Sequence, residues 1–344
     1  MMAKGGEPHV ARLEAVQRQR SSSMPKKILI IQPFHDDGIA LFHARDDIEF
    51  EIVDGKSEAE LIEKIRDADA ATIRTALVPA SVIEQAERLK VLSRHGVGYD
   101  NIDVEALTRR GIPLAIAADA NATAVAEHTL FFMLALAKQA LRHDRAVREG
   151  NWEIRNRFET VDLMGRRVLV LGYGRIGREV AKRCAAFDMQ VAVYDPYVQA
   201  NVIEADGYQS VPDFQAVLPE TDVLTVHMPL GDESRHLIGS AELAALPSHA
   251  LVINCARGGI IDEDALRDAL TSGGIAGAGI DVFEQEPPPE DHPLFGLDNV
   301  ILSPHTAGMS KEAALRMAIS TARNALAGID GKLDPSMVVN REVL

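Results

Sequence analysis

The sequence predicts an α/β chain of two Rossmann-like/flavodoxin-like parallel-sheet domains. Three observations carry that expectation. Apolar runs of strand length alternate with helical patterns from Lys26 to about Ala117, further such runs follow Arg167, and one of these stops at a glycine turn that opens an amphipathic helix. With 344 residues the chain has room for two domains of ordinary size.

Residues 1–24 carry arginines, glycines and the run Ser21-Ser22-Ser23 but no apolar core. They are expected to be a disordered tail, with Met24 as an alternative first residue, and not a secretory signal. Apolar runs at Ile28–Ile31, Phe50–Val53, Ala71–Ile73, Val91–Ser93 and Pro113–Ala115 read as strands. Glu58–Arg66 and Val104–Arg110 read as helices, the second capped by Asp103. This half lacks a dinucleotide-type glycine turn, so its ligand is expected to be something else.

Asn121 is expected to cap a long helix from Ala122 to about Glu149. Val125, Leu130, Phe131, Phe132, Met133, Leu134 and Leu136 make its first half apolar nearly all round, which predicts burial on every side, between domains or subunits. Glu127 and His128 inside it are expected to form a buried pair that holds the helix in place.

Val168–Leu171 is the next strand, and it stops at Gly172. Gly172, Gly174 and Gly177 follow the GxGxxG spacing. The first glycine allows a tight turn, the second lets backbone approach a pyrophosphate, and the third lets helix and strand pack closely. The helix they open carries the stripe Ile176, Val180, Cys184 and Phe187, and a second strand, Val191–Tyr194, ends in Asp195. Strand, turn, helix, strand and acid in that order predict dinucleotide binding, with phosphates on the helix's unpaired amides. Asp195 suits an adenosine ribose and would repel the extra phosphate of NADP. No Arg or Lys follows it through Asn201, so the expected cofactor is NAD.

Runs at Asp222–His227, Ala250–Asn254, Ala276–Val282 and Asn299–Leu302 bring the strands of this half to an expected six. The residues after them read HMP (His227 to Pro229), NCARGG (Asn254 to Gly259), DVFEQEP (Asp281 to Pro287) and SPHTAG (Ser303 to Gly308). Ligands of open parallel sheets bind beyond the carboxyl ends of strands, so chemistry is expected at these sequences. Arg257 suits a carboxylate anchor and carbonyl polariser, because its planar fork stays charged. His305 suits proton transfer near neutral pH, and Glu286 suits an imidazole partner. A last helix is expected from a Ser310 cap to Ala327, ended by Gly328.

GYGRIG with Asp195, NCARGGIIDEDAL, GAGIDVFEQEPPPEDHPL and VILSPHTAG together resemble the NAD-dependent D-2-hydroxyacid dehydrogenases, a family that includes phosphoglycerate dehydrogenase and glyoxylate/hydroxypyruvate reductase. The resemblance spans nearly everything from Lys26 to Asn340. It implies that Arg257, Glu286 and His305 are catalytic. It also implies that Gly172, Gly174, Arg175, Ile176, Gly177, Asp195, His227, Pro229, Ala256, Asp281 and Gly308 surround the cofactor, Asp281 beside the nicotinamide. Residues 25–117 plus 306–344 would form a substrate domain and 118–305 an inserted NAD-binding domain, with the active-site cleft between the two and dimers formed through the latter. VLSRHGVGYDNID (Val91 to Asp103) resembles the family's substrate loop, where the amides of Gly96, Val97 and Gly98 make a concavity and Arg74, Arg94 and His95 read an anionic tail. In the loop after His227 the family's usual Thr is Ser234 here, which keeps the hydroxyl.

The implied activity is hydride transfer between NADH and a small anionic 2-oxo acid of the hydroxypyruvate/glyoxylate or 3-phosphohydroxypyruvate class. The alternative on the same scaffold is an NAD-sensing transcriptional corepressor. A formal net charge of −15 argues against a nucleic-acid partner. The apolar run Leu130–Ala137 is too short to span a membrane, and no metal is expected. Cys184 and Cys255, the only cysteines, are expected to be buried small apolar residues in a reducing, cytoplasmic protein.

Overall fold

A computed structural model describes residues 24–344, so the expected tail, Met24 apart, lies outside the described residues. Its contacts divide the chain into two compact units. One comprises the described residues up to Ala120 together with Ala314–Leu344; the other is Asn121–Ala313.

The smaller unit holds β1 (Lys26–Ile31), β2 (Ile48–Val53), β3 (Ala70–Ile73), β4 (Leu92–Arg94) and β5 (Leu114–Ile116). They form one parallel sheet in the order β2-β1-β3-β4-β5, the flavodoxin-like order. The short helices α1 (Asp36–His43), α2 (Glu58–Ile65), α3 (Ala80–Ile83) and α4 (Val104–Arg109) connect them. Asp103 Oδ1 accepts from the Ala106 amide at 2.8 Å, the expected cap of α4. Ile28, Leu29, Ile30 and Ile31 are all fully buried, as a central strand covered on both faces requires.

The larger unit contains α5 (Ala122–Ala137), α6 (Ala140–Arg148), β6 (Arg167–Leu171), α7 (Arg175–Ala186), β7 (Gln190–Tyr194), α8 (Ala200–Ala205), β8 (Gln209–Ser210), β9 (Val223–Val226), α9 (Ser240–Ala245), β10 (Leu251–Asn254), α10 (Glu263–Ser272), β11 (Gly277–Ile280) and β12 (Val300–Leu302). Its sheet is parallel, in the order β12-β11-β10-β9-β6-β7-β8. The sheet therefore has seven strands where six were expected. The extra one, β8, has only two residues and too little apolar pattern to read. The strand order reverses between β6 and β9, and both end at the glycine turn.

The expected long helix is two helices. Gln139 sits at φ 48° between them, a left-handed residue that ends α5. Burial of α5 runs round most of the helix, as expected, and leaves exposed only the narrow stripe of Thr123, Glu127 and Phe131, the last half-exposed. Asn121 stands at the cap position just before α5, but its side chain makes no capping hydrogen bond and its Oδ1 is buried without a partner. Phe187, expected on the buried stripe of α7, instead follows that helix and is 42 % exposed.

The chain returns to the smaller unit through α11 (Lys311–Ile329). Ser310 Oγ caps it by accepting from the Ala313 amide at 3.1 Å. Ala318, Ala322 and Ala325 pack it against Ile28, Ile30 and Val91. Gly328 does not end this helix. It lies inside, where a Cβ would stand 2.3 Å from Val91 Cγ1, and the chain turns away at Gly331, φ 66°. Asn340 then accepts from the Leu114 amide at 2.8 Å, tying the tail to edge strand β5. The division by contacts falls at 313/314, later than the expected 305/306, because the amides of Thr306 and Ala307 are held by Asp281 of the larger unit.

Candidate active site

Six strand ends of the larger unit carry the predicted residues on one edge of its sheet. At the end of β6, Gly172 has φ 96°, and a Cβ there would meet the His227 carbonyl oxygen at 2.7 Å. A Cβ on Gly177 would lie 2.0 Å from the Gly172 carbonyl oxygen, so only glycine lets α7 start this close to its strand. Nothing lies within 4 Å of a Cβ on Gly174, and Gly174 and Arg175 are exposed while Ile176 is half-buried. Space at the second glycine beside the first turn of a twelve-residue helix fits a pyrophosphate. Asp195 faces the same turn. Its carboxylate accepts from the Tyr173 amide at 2.7 Å and from those of Tyr197 and Val198 at 2.9 and 3.1 Å.

His227 follows β9, its Nε2 2.9 Å from Thr225 Oγ1 and its Nδ1 sealed without a partner. Burial pushes this imidazole down to about 3, so it is neutral. Pro229 is exposed, and its carbonyl accepts from Ser234 Oγ at 2.8 Å. Ser234 Oγ also accepts from the Gly231 amide at 2.8 Å, so this hydroxyl closes its own loop.

After β10, Asn254 braces the turn that presents Arg257. Its Oδ1 accepts from the Ala256 amide at 3.0 Å and its Nδ2 donates to the Arg257 carbonyl at 2.8 Å. A Cβ on Gly258 would stand 1.9 Å from the Phe283 carbonyl oxygen, so glycine lets this turn lie against the loop that carries Glu286. Glu286 Oε2 lies 2.7 Å from His305 Nδ1, and its Oε1 accepts from the Phe283 amide at 3.1 Å. Burial pushes the Glu286 carboxyl up, but the His305 hydrogen bond, the Phe283 amide and the charges of His305 and Arg257 outweigh it and hold the carboxyl below its usual range. The structure thus brings the three predicted side chains to one place.

His305 has φ 52°, a conformation that a non-glycine residue keeps only when its surroundings enforce it. Asp281, 1 % exposed, does the enforcing. Its carbonyl accepts from the His305 amide at 2.8 Å, and its carboxylate accepts from the Thr306 and Ala307 amides at 2.8 and 2.9 Å and from Ser303 Oγ. The bracing roles of Ser303 and Asn254 escape pattern reading; their signal is a polar residue that ends an apolar strand or follows it directly. Gly308 packs on Asn121, whose Nδ2 would be 2.8 Å from a Cβ there. Glu127 and His128 do not pair. Glu127 is exposed toward Arg183 at 3.8 Å, and His128 Nε2 lies 2.9 Å from Ser303 Oγ.

The smaller unit holds the remaining predicted residues. Arg74 donates to the Pro33 carbonyl at 2.9 Å, and Arg94 donates to the His95 carbonyl. His95, 7 % exposed, stacks on Phe34 at 5.7 Å, and its Nε2 is buried without a partner. Burial, then the charges of Arg74 and Arg94, push this imidazole down to about 4. It is therefore a neutral hydrogen-bonding group and not the cation that an anion-reading role suggests. Gly96 has φ 130°, and the amides of Gly96, Val97 and Gly98 make no backbone hydrogen bond among the described residues.

Both thiols are buried, and burial pushes each up to about 12, so neither is a nucleophile at neutral pH. Among the described residues no group of side chains is arranged to hold a metal ion, and no helix is long and apolar enough to cross a membrane.

Residues 130–307 match the family model described as D-isomer specific 2-hydroxyacid dehydrogenase, NAD binding domain. Over 288 residues the chain is 44 % identical to a D-3-phosphoglycerate dehydrogenase of Methanocaldococcus jannaschii, covering 83 % of this chain and 54 % of that one, so it spans about half that relative's length. It is 38 % identical to a glyoxylate reductase of Korarchaeum cryptofilum, covering 84 % of this chain and 87 % of the relative. The crystal structure of a glyoxylate reductase from Paecilomyes thermophila is similar at a TM-score of 0.82 and 28 % identity, over 92 % of this chain and 99 % of that one.

Proposed function

Because the chain belongs to the D-isomer specific 2-hydroxyacid dehydrogenase family, we propose that it interconverts a small 2-oxo acid and the corresponding D-2-hydroxy acid with NAD as redox partner. The observation that carries the reading is the 2.7 Å contact between His305 Nδ1 and Glu286, with the Arg257 charge acting on the same carboxylate. An ionised carboxylate only accepts, so His305 donates from Nδ1 and exchanges its proton with substrate at Nε2. Bound NADH supplies the hydride that adds to the carbonyl carbon. Arg257 grips the substrate carboxylate and polarises the carbonyl, His305 gives the Nε2 proton to the carbonyl oxygen, and Glu286 stabilises the imidazolium. In the oxidative direction His305 takes the proton back. Asp195, with no Arg or Lys through Asn201, supports NAD over NADP.

The substrate is assigned to the hydroxypyruvate/glyoxylate or 3-phosphohydroxypyruvate class, and the names of the relatives support both branches. Arg74, Arg94, His95 and the amides of Gly96, Val97 and Gly98 are assigned to it, Arg74 and Arg94 by charge and His95 by a neutral hydrogen bond. The test is NADH oxidation, followed by absorbance, with a panel of these acids and with His305→Ala. Loss of a general acid/base is expected to lower turnover about a hundredfold to ten-thousandfold. Near-normal turnover of His305→Ala on its best acid would falsify the assignment.

The functional unit is assigned as a homodimer through the larger unit. Leu130, Phe131, Leu134 and Ala135 of α5 and Phe187 after α7 line one surface hollow, in which Phe131 and Phe187 are substantially exposed, and this supports the reading. Sedimentation at the mass of a single chain would remove it. Two buried, unpaired cysteines support a cytoplasmic setting, which recovery of the native protein from a secreted fraction would contradict.

A further inference from the structure

We propose that His128, on α5, is a positioning residue for His305, acting through Ser303 and Asp281. The proposal rests on the acid/base reading of His305 and adds to it a part for a residue whose contact is with Ser303.

The chain of contacts runs across three elements. His128 Nε2 lies 2.9 Å from Ser303 Oγ, which follows β12, and Ser303 Oγ donates to Asp281 Oδ1, which follows β11. Direction follows from chemistry. A carboxylate has only lone pairs to offer, so the Ser303 proton points at Asp281 and the Ser303 lone pair must accept from His128. That places the His128 proton on Nε2. Burial pushes the imidazole below its usual range, against the opposing charge of Asp281 3.9 Å away, so the neutral form is the donor.

The approach of α5 to the sheet is built for this reach. His128, Phe132 and Leu136 recur every fourth residue and so share one helix face. A Cβ on Gly279 would lie 2.6 Å from Phe132 Cγ and one on Gly277 3.2 Å from Leu136 Cδ2, so two glycines of β11 bring that face close. Phe132 also packs edge-on to the His128 ring at 4.5 Å and fixes its plane.

At the other end, Asp281 is the clasp that keeps His305 at positive φ. His128 Nε2 itself lies 3.9 Å from Asp281 Oδ1. Three donors hold the carboxylate, one of them the hydroxyl that His128 orients. If that hydroxyl turns away, only the Thr306 and Ala307 amides hold the carboxylate, and the loop that sets the His305 ring against Glu286 is less firmly fixed.

The experiment compares His128→Ala, His128→Gln, Ser303→Ala and the double variant His128→Ala/Ser303→Ala in the full chain. Misplacing a catalytic group from a distance lowers turnover by up to about a hundredfold, so His128→Ala is expected to lose tenfold or more in kcat with NADH affinity unchanged. Gln can offer an N–H where Nε2 stands and should restore most of the loss. The double variant should lose no more than the worse single one. A second measurement stands apart from activity. The His305 ring resonance, assigned by its disappearance in His305→Ala, should move in His128→Ala and return in His128→Gln. An unmoved resonance, equal losses in Ala and Gln, or additive losses would each overturn the relay. A resonance that moves while His305→Ala turns over normally would instead retain the relay and remove the acid/base reading.

Discussion

The turn after β6 and the turn after β4 each follow the carboxyl end of a parallel strand, and both contain glycines at positive φ: 96° at Gly172 and 130° at Gly96. Their surroundings differ. A Cβ on Gly172 or Gly177 would strike main-chain oxygens, at 2.7 and 2.0 Å. A Cβ on Gly96 would meet only the end of the Arg94 side chain, at 3.3 Å. One turn is shaped by backbone against backbone, the other by side chains that can be exchanged. A ligand read by the first must be common to every chain with that spacing, whereas a ligand read by the second depends on Arg94, His95 and the residues packed on them.

The largest expected effect tests the rigid side of that contrast. Gly177→Ala places a methyl group 2.0 Å from the Gly172 carbonyl oxygen, and neither backbone can yield without opening α7 from β6. Overpacking of this kind costs about 3 kcal/mol or more. The urea midpoint of the larger unit should fall accordingly, and NADH binding with it. Gly174→Ala is the counterpart. Its methyl group meets nothing within 4 Å, so stability should hold within about 0.5 kcal/mol while NADH affinity, measured by fluorescence quenching, drops at least tenfold. Equal losses of stability in the two variants would erase the distinction between a packing glycine and a ligand-facing one.

The same contrast explains how much of the fold and of the site is legible in the sequence. Residues whose partners are main chain at fixed spacing were legible: the strand–glycine–helix order, the Asp103 cap, and Arg257, Glu286 and His305 at successive strand ends. Features set by tertiary contact were not. Gln139 ends α5 without glycine or proline, so a continuous helix was the natural reading. Gly328 looked like a stop because glycine past an apolar stripe usually is one, yet here it makes room for Val91. Glu127 and His128 are adjacent in sequence and so lie about a hundred degrees apart around the helix, which sends one to Arg183 and the other to Ser303. The two-residue β8 has too short a pattern to distinguish from a loop.

The adaptable side of the contrast has a pH signature. His95 is held near 4 in the folded chain by burial and by Arg74 and Arg94, below its ordinary value of 6.5. Between those values the unfolded chain binds a proton that the folded chain does not, so this contribution is complete above pH 6.5, declines as pH falls, and is exhausted near 4. From pH 7 to pH 5 it amounts to about 2 kcal/mol. Carboxylates also titrate on this path, so the informative quantity is a difference. In His95→Gln the urea-derived stability of the smaller unit should lose about that much less over the interval than in the parent chain. Parallel pH dependences would mean that the folded chain protonates His95 as readily as the unfolded one, so that burial beside Phe34 does not keep it neutral.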